Sequence, residues 1–87
     1  MFVEIYGRTT CPYCVKAKQL AEKMKEELPH FDFKFIDMIA EGIDKTDLEP
    51  RVGKTVATVP QIFFDNIHIG GFSDFAPFVK EKFGIEI

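Results

Sequence analysis

Two stretches of alternating character, "FVEIY" (Phe2 to Tyr6) and "FDFKFI" (Phe31 to Ile36), flank a longer segment whose apolar residues recur at helical spacing. Each short stretch reads as a strand: β-branched and aromatic residues, with a period of two in Phe31, Phe33 and Phe35 against Asp32 and Lys34. Between them Ala17, Leu20, Ala21, Met24 and Leu28 line one face of a helix predicted from Pro12 to Leu28. Strands joined through a helix cannot make a hairpin, so the pair must run parallel with the helix across one face. Granted that βαβ unit, the rest of the chain has to extend the sheet or cover it.

Both happen. "IDKTDLEPRVG" reads as a short helix capped by Asp44, with Asp47 in its first turn, Gly53 at its end and an irregularity expected at Pro50, which cannot donate a backbone hydrogen bond. "QIFF" and "IHI", joined around Asp65 and Asn66, predict a hairpin that ends at Gly70 and Gly71. A last helix is expected from Ser73 as N-cap to Gly84, burying Phe75, Phe78, Val79 and Phe83, with Pro77 in its opening turn. The order βαβ, helix, ββα predicts an α/β fold: a mixed four-stranded sheet flanked by three helices. Without an internal repeat or a linker, residues 1–87 are expected to form a single domain.

Charge and composition narrow the function classes. A net charge of -3 leaves no basic stripe to neutralise phosphates, which argues against nucleic acid and against an acidic membrane surface. No apolar run approaches the ~20 residues of a bilayer span, and "MFVEIYGR" lacks the pattern of a secretion signal, so a cytoplasmic protein is expected. The 10 Phe are read as packing residues. His68 and His30 read as strand and turn residues, and the lysines and glutamates of the first helix as a solvated face, with Lys18 alone on the Cys11 side.

"TTCPYC" (Thr9 to Cys14) holds both cysteines, at the point where the first strand's loop enters the first helix. Free N–H groups and the helix dipole, worth roughly half a positive charge, face a sulfur placed there and favour its thiolate. Cys11 is therefore the expected nucleophile. Pro12 opens the helix without wasting a donor, and Cys14, one turn on, can resolve a mixed disulfide formed at Cys11. A structural disulfide would close too short a loop to restrict the unfolded chain much, and a zinc half-site lacks two further ligands at finger spacing.

Taken together, "GRTTCPYC", "TVPQIFFD" and "IHIGGFSDF" make nearly the whole chain resemble a dithiol glutaredoxin of the small bacterial type. The resemblance implies a thioredoxin-like fold, no tightly bound cofactor or metal, and glutathione as reducing cosubstrate. It also implies protein disulfides and glutathionylated proteins as substrates, ribonucleotide reductase among the candidate partners, and a monomer. Residue by residue, it makes Cys11 and Cys14 catalytic and packs Tyr13 along bound glutathione. Thr58, Val59 and Pro60 match a loop with a cis bond before the proline, whose valine backbone pairs with the cysteinyl part of glutathione. Gly71, Phe72, Ser73 and Asp74 match the segment that receives the γ-glutamyl end, although Phe72 replaces a Tyr found in several relatives. Arg8 matches a basic residue that either supports the Cys11 thiolate or holds the glycyl carboxylate. Two rivals stand beside this reading. A thioredoxin-like reductant is opposed by the missing Trp and by CPYC; an iron–sulfur carrier is opposed by Pro12 and an available Cys14.

Overall fold

The elements seen in the computed structural model, which describes residues 1–87, follow the predicted order. They are β1 (Phe2–Gly7), α1 (Pro12–Glu27), β2 (Asp32–Asp37), a 3-10 turn (Lys45–Leu48) running into α2 (Glu49–Val52), β3 (Gln61–Phe64), β4 (Ile67–Gly70) and α3 (Phe72–Phe83). The sheet order is β2-β1-β3-β4, with β1 and β2 parallel and the other pairs antiparallel. This is the thioredoxin-like arrangement expected from the sequence.

Alternation on β1 sorts the residues into two layers. Val3 and Ile5 join Ile62 and Phe64 on the face covered by α1 and α3, where Ala17, Leu20, Ala21, Met24, Phe75 and Val79 complete a buried cluster. The intervening Glu4 and Tyr6 lie opposite Phe63 and Gln61 on the other face. There Met38, Leu48 and Val56 form a smaller core under the 3-10 turn and α2. Truncating one fully buried residue of the larger cluster, such as Leu20 or Met24, would cost about 2 to 5 kcal/mol.

Several local features depart from the sequence expectation, each for a visible reason. Leu28 lies just beyond α1 in an extended conformation (φ -111°, ψ 126°). Phe33 and Phe35 are only half-buried because β2 is an edge strand. Pro50 marks the change from 3-10 turn to α-helix; Asp44 holds the expected N-cap position, and Asp47 reaches back to accept from the Asp44 N–H at 2.8 Å. α3 begins at Phe72 with Gly71 in the N-cap position, because Asp74 rather than Ser73 reaches back to the Gly71 N–H (3.2 Å). The earlier start puts Pro77 inside the helix, where its missing N–H leaves the Ser73 carbonyl without a helical partner. Phe78 and Phe83 are half-buried and lean on Phe64, with ring centroids 5.3 and 6.1 Å away.

The hairpin turn fits its sequence: Asp65 and Asn66 both adopt left-handed conformations (φ 47° and 69°), which match the twist of the strands. Asp65 also accepts from the Phe2 N–H at 2.8 Å, tying the turn to the start of β1.

One side chain binds α2 to the sheet. The Arg51 guanidinium lies 3.9 Å from the centre of the Phe63 ring. It donates to both carboxylate oxygens of Glu4, to the Tyr6 hydroxyl at 3.0 Å and to Asn66 Oδ1 at 3.2 Å. Arg51→Met keeps an apolar stem on Phe63 but removes the fork. It is expected to lower the urea midpoint by the equivalent of about 1 to 2 kcal/mol, with an unchanged slope, the modest figure reflecting partial exposure of the pair. Equal midpoints for variant and parent would show that the fork contributes nothing to stability.

Candidate active site

Cys11 occupies the N-cap of α1 (φ -85°, ψ 120°), with Pro12 opening the helix behind it. Its sulfur accepts from the Cys14 backbone N–H at 3.3 Å, taking one of the donors that a helix start leaves unpaired. The same sulfur sits 3.8 Å from the Val59 carbonyl oxygen, and Val59 precedes Pro60 through a cis peptide bond. Cys11 is partly exposed, Cys14 is fully buried one turn along the helix, and neither is in a disulfide. Gly7 is what lets β1 pass so near: a Cβ there would lie 2.7 Å from the Cys14 sulfur.

The two thiols are pushed in opposite directions. Partial burial works against the Cys11 thiolate. It is outweighed by hydrogen bonds from the Cys14 side chain and from the Cys14 and Tyr13 backbone, with the Arg8 charge adding to them, so the net shift is below the ordinary thiol value. Cys14 is raised to about 12, first by its burial and next by its hydrogen bond with Cys11. Repulsion from a charged Cys11 adds to this. The pair thus keeps one exposed sulfur ready to ionise and one buried sulfur protonated.

Beside Cys11 opens a groove of about 380 Å³, within the ordinary size range of ligand sites, lined by Tyr13, Thr58, Val59, Pro60, Gly71, Phe72 and Ser73. These residues come from the start of α1, the loop before β3 and the start of α3, three segments brought together by the sheet. The Tyr13 and Phe72 rings in its wall lie stacked, centroids 6.3 Å apart, and the Lys16 ammonium sits 5.4 Å from the Tyr13 ring. At the start of α3 the N–H groups of Phe72 and Ser73 precede the first helical bond and can meet an anion.

Arg8 and Asp74 lie outside this groove. Arg8 stands behind the cysteines, its Nε buried without a partner, and acts on both sulfurs through its charge. Asp74 lines an adjoining polar depression of about 270 Å³ with Lys54, Thr55, His68 and Gly70, which meets the groove at Thr58 and Gly71. Gly70 (φ +124°) leaves room there, since any Cβ would collide with the Asp74 carboxylate. The Lys18 ammonium sits 5.7 Å from the Phe35 ring. In the sequence Lys54, Gln61 and His68 each read as ordinary loop or strand; the one available signal is a glutamine at a position the strand pattern buries.

Comparison with known proteins agrees with this architecture. The family model described as Glutaredoxin matches residues 3–69. The chain is 59% identical over 85 residues to a glutaredoxin of Haemophilus influenzae and 55% identical over 85 residues to glutaredoxin 1 of Salmonella typhimurium, covering 98% of this chain and of each relative. The solution structure of reduced Escherichia coli glutaredoxin superposes with a TM-score of 0.88 at 53% identity, covering 98% of this chain and all of that one.

A lowered Cys11 pKa means a larger thiolate fraction at neutral pH, so the curve of alkylation rate against pH should rise at lower pH than for an ordinary thiol. Iodoacetamide should modify Cys11 alone, because Cys14 stays protonated until about 12. Arg8→Gln should move the curve to higher pH, since it removes a charge that favours the thiolate. A midpoint at the ordinary thiol value, or modification of Cys14 at the same rate, would contradict this ordering.

Proposed function

The chain belongs to the glutaredoxin family and is a thiol–disulfide oxidoreductase, and from that premise we propose that glutathione is its reductant and that Cys11 is the attacking sulfur. The observation that carries the proposal is the groove itself. One wall of it is Val59, whose carbonyl oxygen lies 3.8 Å from the Cys11 sulfur, and it reaches a helix N-terminus, so a thiol held at one end can have its carboxylate received at the other.

On a glutathionylated substrate, the Cys11 thiolate attacks the glutathione sulfur. The disulfide breaks, the substrate sulfur leaves with the electron pair and takes a proton, and glutathione stays on Cys11 as a mixed disulfide. A second glutathione thiolate then attacks the bound glutathione sulfur, which forms glutathione disulfide and frees Cys11 as thiolate. On a protein disulfide the first attack joins Cys11 to the substrate, and Cys14 must displace it. Once Cys11 is covalently occupied, its charge and hydrogen bond no longer hold the Cys14 proton, so the resolving thiol becomes more acidic at the step that needs it. Substrate reduction then leaves a Cys11–Cys14 disulfide for two glutathione molecules to reduce.

The residues of the groove take the roles the resemblance implies. Tyr13 and Phe72 lie along the tripeptide, Thr58 to Pro60 present the Val59 backbone to its cysteinyl part, and Gly71 to Ser73 receive the γ-glutamyl carboxylate. Asp74 faces the ammonium from the adjoining depression. Arg8 is better placed to support the thiolate than to hold the glycyl carboxylate, because its charge reaches both sulfurs and it does not line the groove. The whole chain would work as one domain and a monomer, with no resident cofactor, and ribonucleotide reductase stands as a candidate protein partner. No helix is long and apolar enough to cross a membrane, which is compatible with a cytoplasmic role.

The test is a coupled assay of a glutathione mixed disulfide with glutathione, glutathione reductase and NADPH. Cys11→Ser should abolish turnover. Cys14→Ser should retain reduction of the mixed disulfide, within about threefold, while losing most of its activity on a protein disulfide. Turnover driven by a thioredoxin reductase but not by glutathione would overturn the proposal, and equal loss of both activities in Cys14→Ser would remove the assigned division of labour.

A further inference from the structure

Gln61 is the one polar side chain among the fully buried residues, at 7% exposure, and both ends of its amide are occupied. At one end the Thr58 carbonyl oxygen lies 3.0 Å away; at the other, His68 Nε2 lies 2.7 Å away. A carbonyl oxygen only accepts, so the group facing Thr58 is the amide NH₂, and the amide oxygen faces His68. That oxygen also only accepts, which places the imidazole proton on Nε2. His68 is anchored in turn by β4 and by its ring, 5.2 Å from the Phe63 ring directly across the ladder. Gln61 and His68 are diagonal neighbours on the α2 face of the sheet, close enough for two long side chains to meet.

The consequence lies two bonds from Thr58. The Thr58–Val59 peptide is trans, the only cis bond being the next one. In a trans peptide the C=O and N–H point in opposite directions. Turning the Thr58 carbonyl inward to Gln61 therefore turns the Val59 N–H outward, and no protein acceptor takes it. Val59 also places its own carbonyl near the Cys11 sulfur, so both polar groups of its backbone border the groove.

We infer that Gln61 and His68 are positioning residues: the hydrogen-bonded chain His68–Gln61–Thr58 fixes the peptide plane that presents the Val59 N–H to the glutathionyl group. The inference rests on the glutathione reading above and deepens it. Neither residue lines the groove beside Cys11; both stand in the adjoining depression. Each acts through the loop, so its loss affects capture of a glutathionyl group and leaves the acidity of Cys11 alone.

Three variants test it with one peptide presented either as its glutathione or as its cysteamine mixed disulfide. His68→Phe keeps a ring on Phe63 and deletes the donor, Gln61→Met keeps the length and deletes the amide, and His68→Gln returns an N–H close to the Nε2 position. His68→Phe and Gln61→Met should raise KM for the glutathione disulfide by about 5- to 10-fold, the range for one lost buried hydrogen bond, with kcat nearly unchanged. Their kcat/KM for the cysteamine disulfide and their Cys11 alkylation profiles should match the parent, and His68→Gln should recover most of the KM. In amide spectra of the reduced proteins, the Val59 N–H resonance should shift in His68→Phe and return in His68→Gln. An unmoved Val59 resonance in His68→Phe, or equal losses on the two disulfides, overturns the inference while glutathione specificity in the parent stands. A parent that does not distinguish the two disulfides overturns the glutathione reading itself.

Discussion

The contact on which the rest of this molecule depends is the 3.3 Å hydrogen bond from the Cys14 backbone N–H to the Cys11 sulfur at the start of α1. The start of the helix at that residue supplies backbone donors to a thiolate there, beside the Cys14 thiol, and three neighbours enforce the start. Pro12 needs no hydrogen-bond acceptor, the Cys11 N–H is turned back to the Arg8 carbonyl at 3.2 Å, and Gly7 has no side chain to push Cys14 away. Burial opposes ionisation at both cysteines, yet the Cys14 thiol and then the helix-start N–H groups outweigh it at Cys11, and nothing comparable rescues Cys14.

The two faces of the sheet divide the remaining work. The larger cluster under α1 and α3 fixes where those helices begin, and hence where Tyr13 and Phe72 stand in the groove wall. The smaller face, under α2, carries two polar anchors: Arg51 on Glu4 and Phe63, and His68 through Gln61 to Thr58. Packing therefore sets the helices, and buried hydrogen bonds set the loop between them. A loop without regular structure needs such specific anchors, because its backbone groups have no ladder to hold them.

How far the sequence disclosed this follows the same division. Period-two stretches around a helical segment made the βαβ unit legible, and Cys11, Pro12 and Cys14 marked the start of α1, because those signals are local. The gathering of Tyr13, Thr58 to Pro60 and Gly71 to Ser73 into one groove was carried by the family resemblance; spacing alone does not bring three distant segments together. What stayed hidden depended on tertiary partners. Ser73 has the residue type of a cap, but it is Asp74 that reaches back to Gly71, and Asp74 also lines the neighbouring depression. Gln61 and His68 were unremarkable as strand residues, since a polar side chain on a sheet gains meaning only from what its far end touches.

The central claim is that the Cys11 sulfur and the groove beside it form one site for a glutathionyl group. The most direct measurement is a structure of the Cys14→Ser variant trapped as its Cys11 mixed disulfide with glutathione. The tripeptide is expected to lie along Tyr13 and Phe72, with its cysteinyl backbone paired to Val59 and its γ-glutamyl carboxylate at the first N–H groups of α3. Glutathione bonded to Cys11 but directed away from the Thr58 to Pro60 loop, with the groove empty, would contradict it.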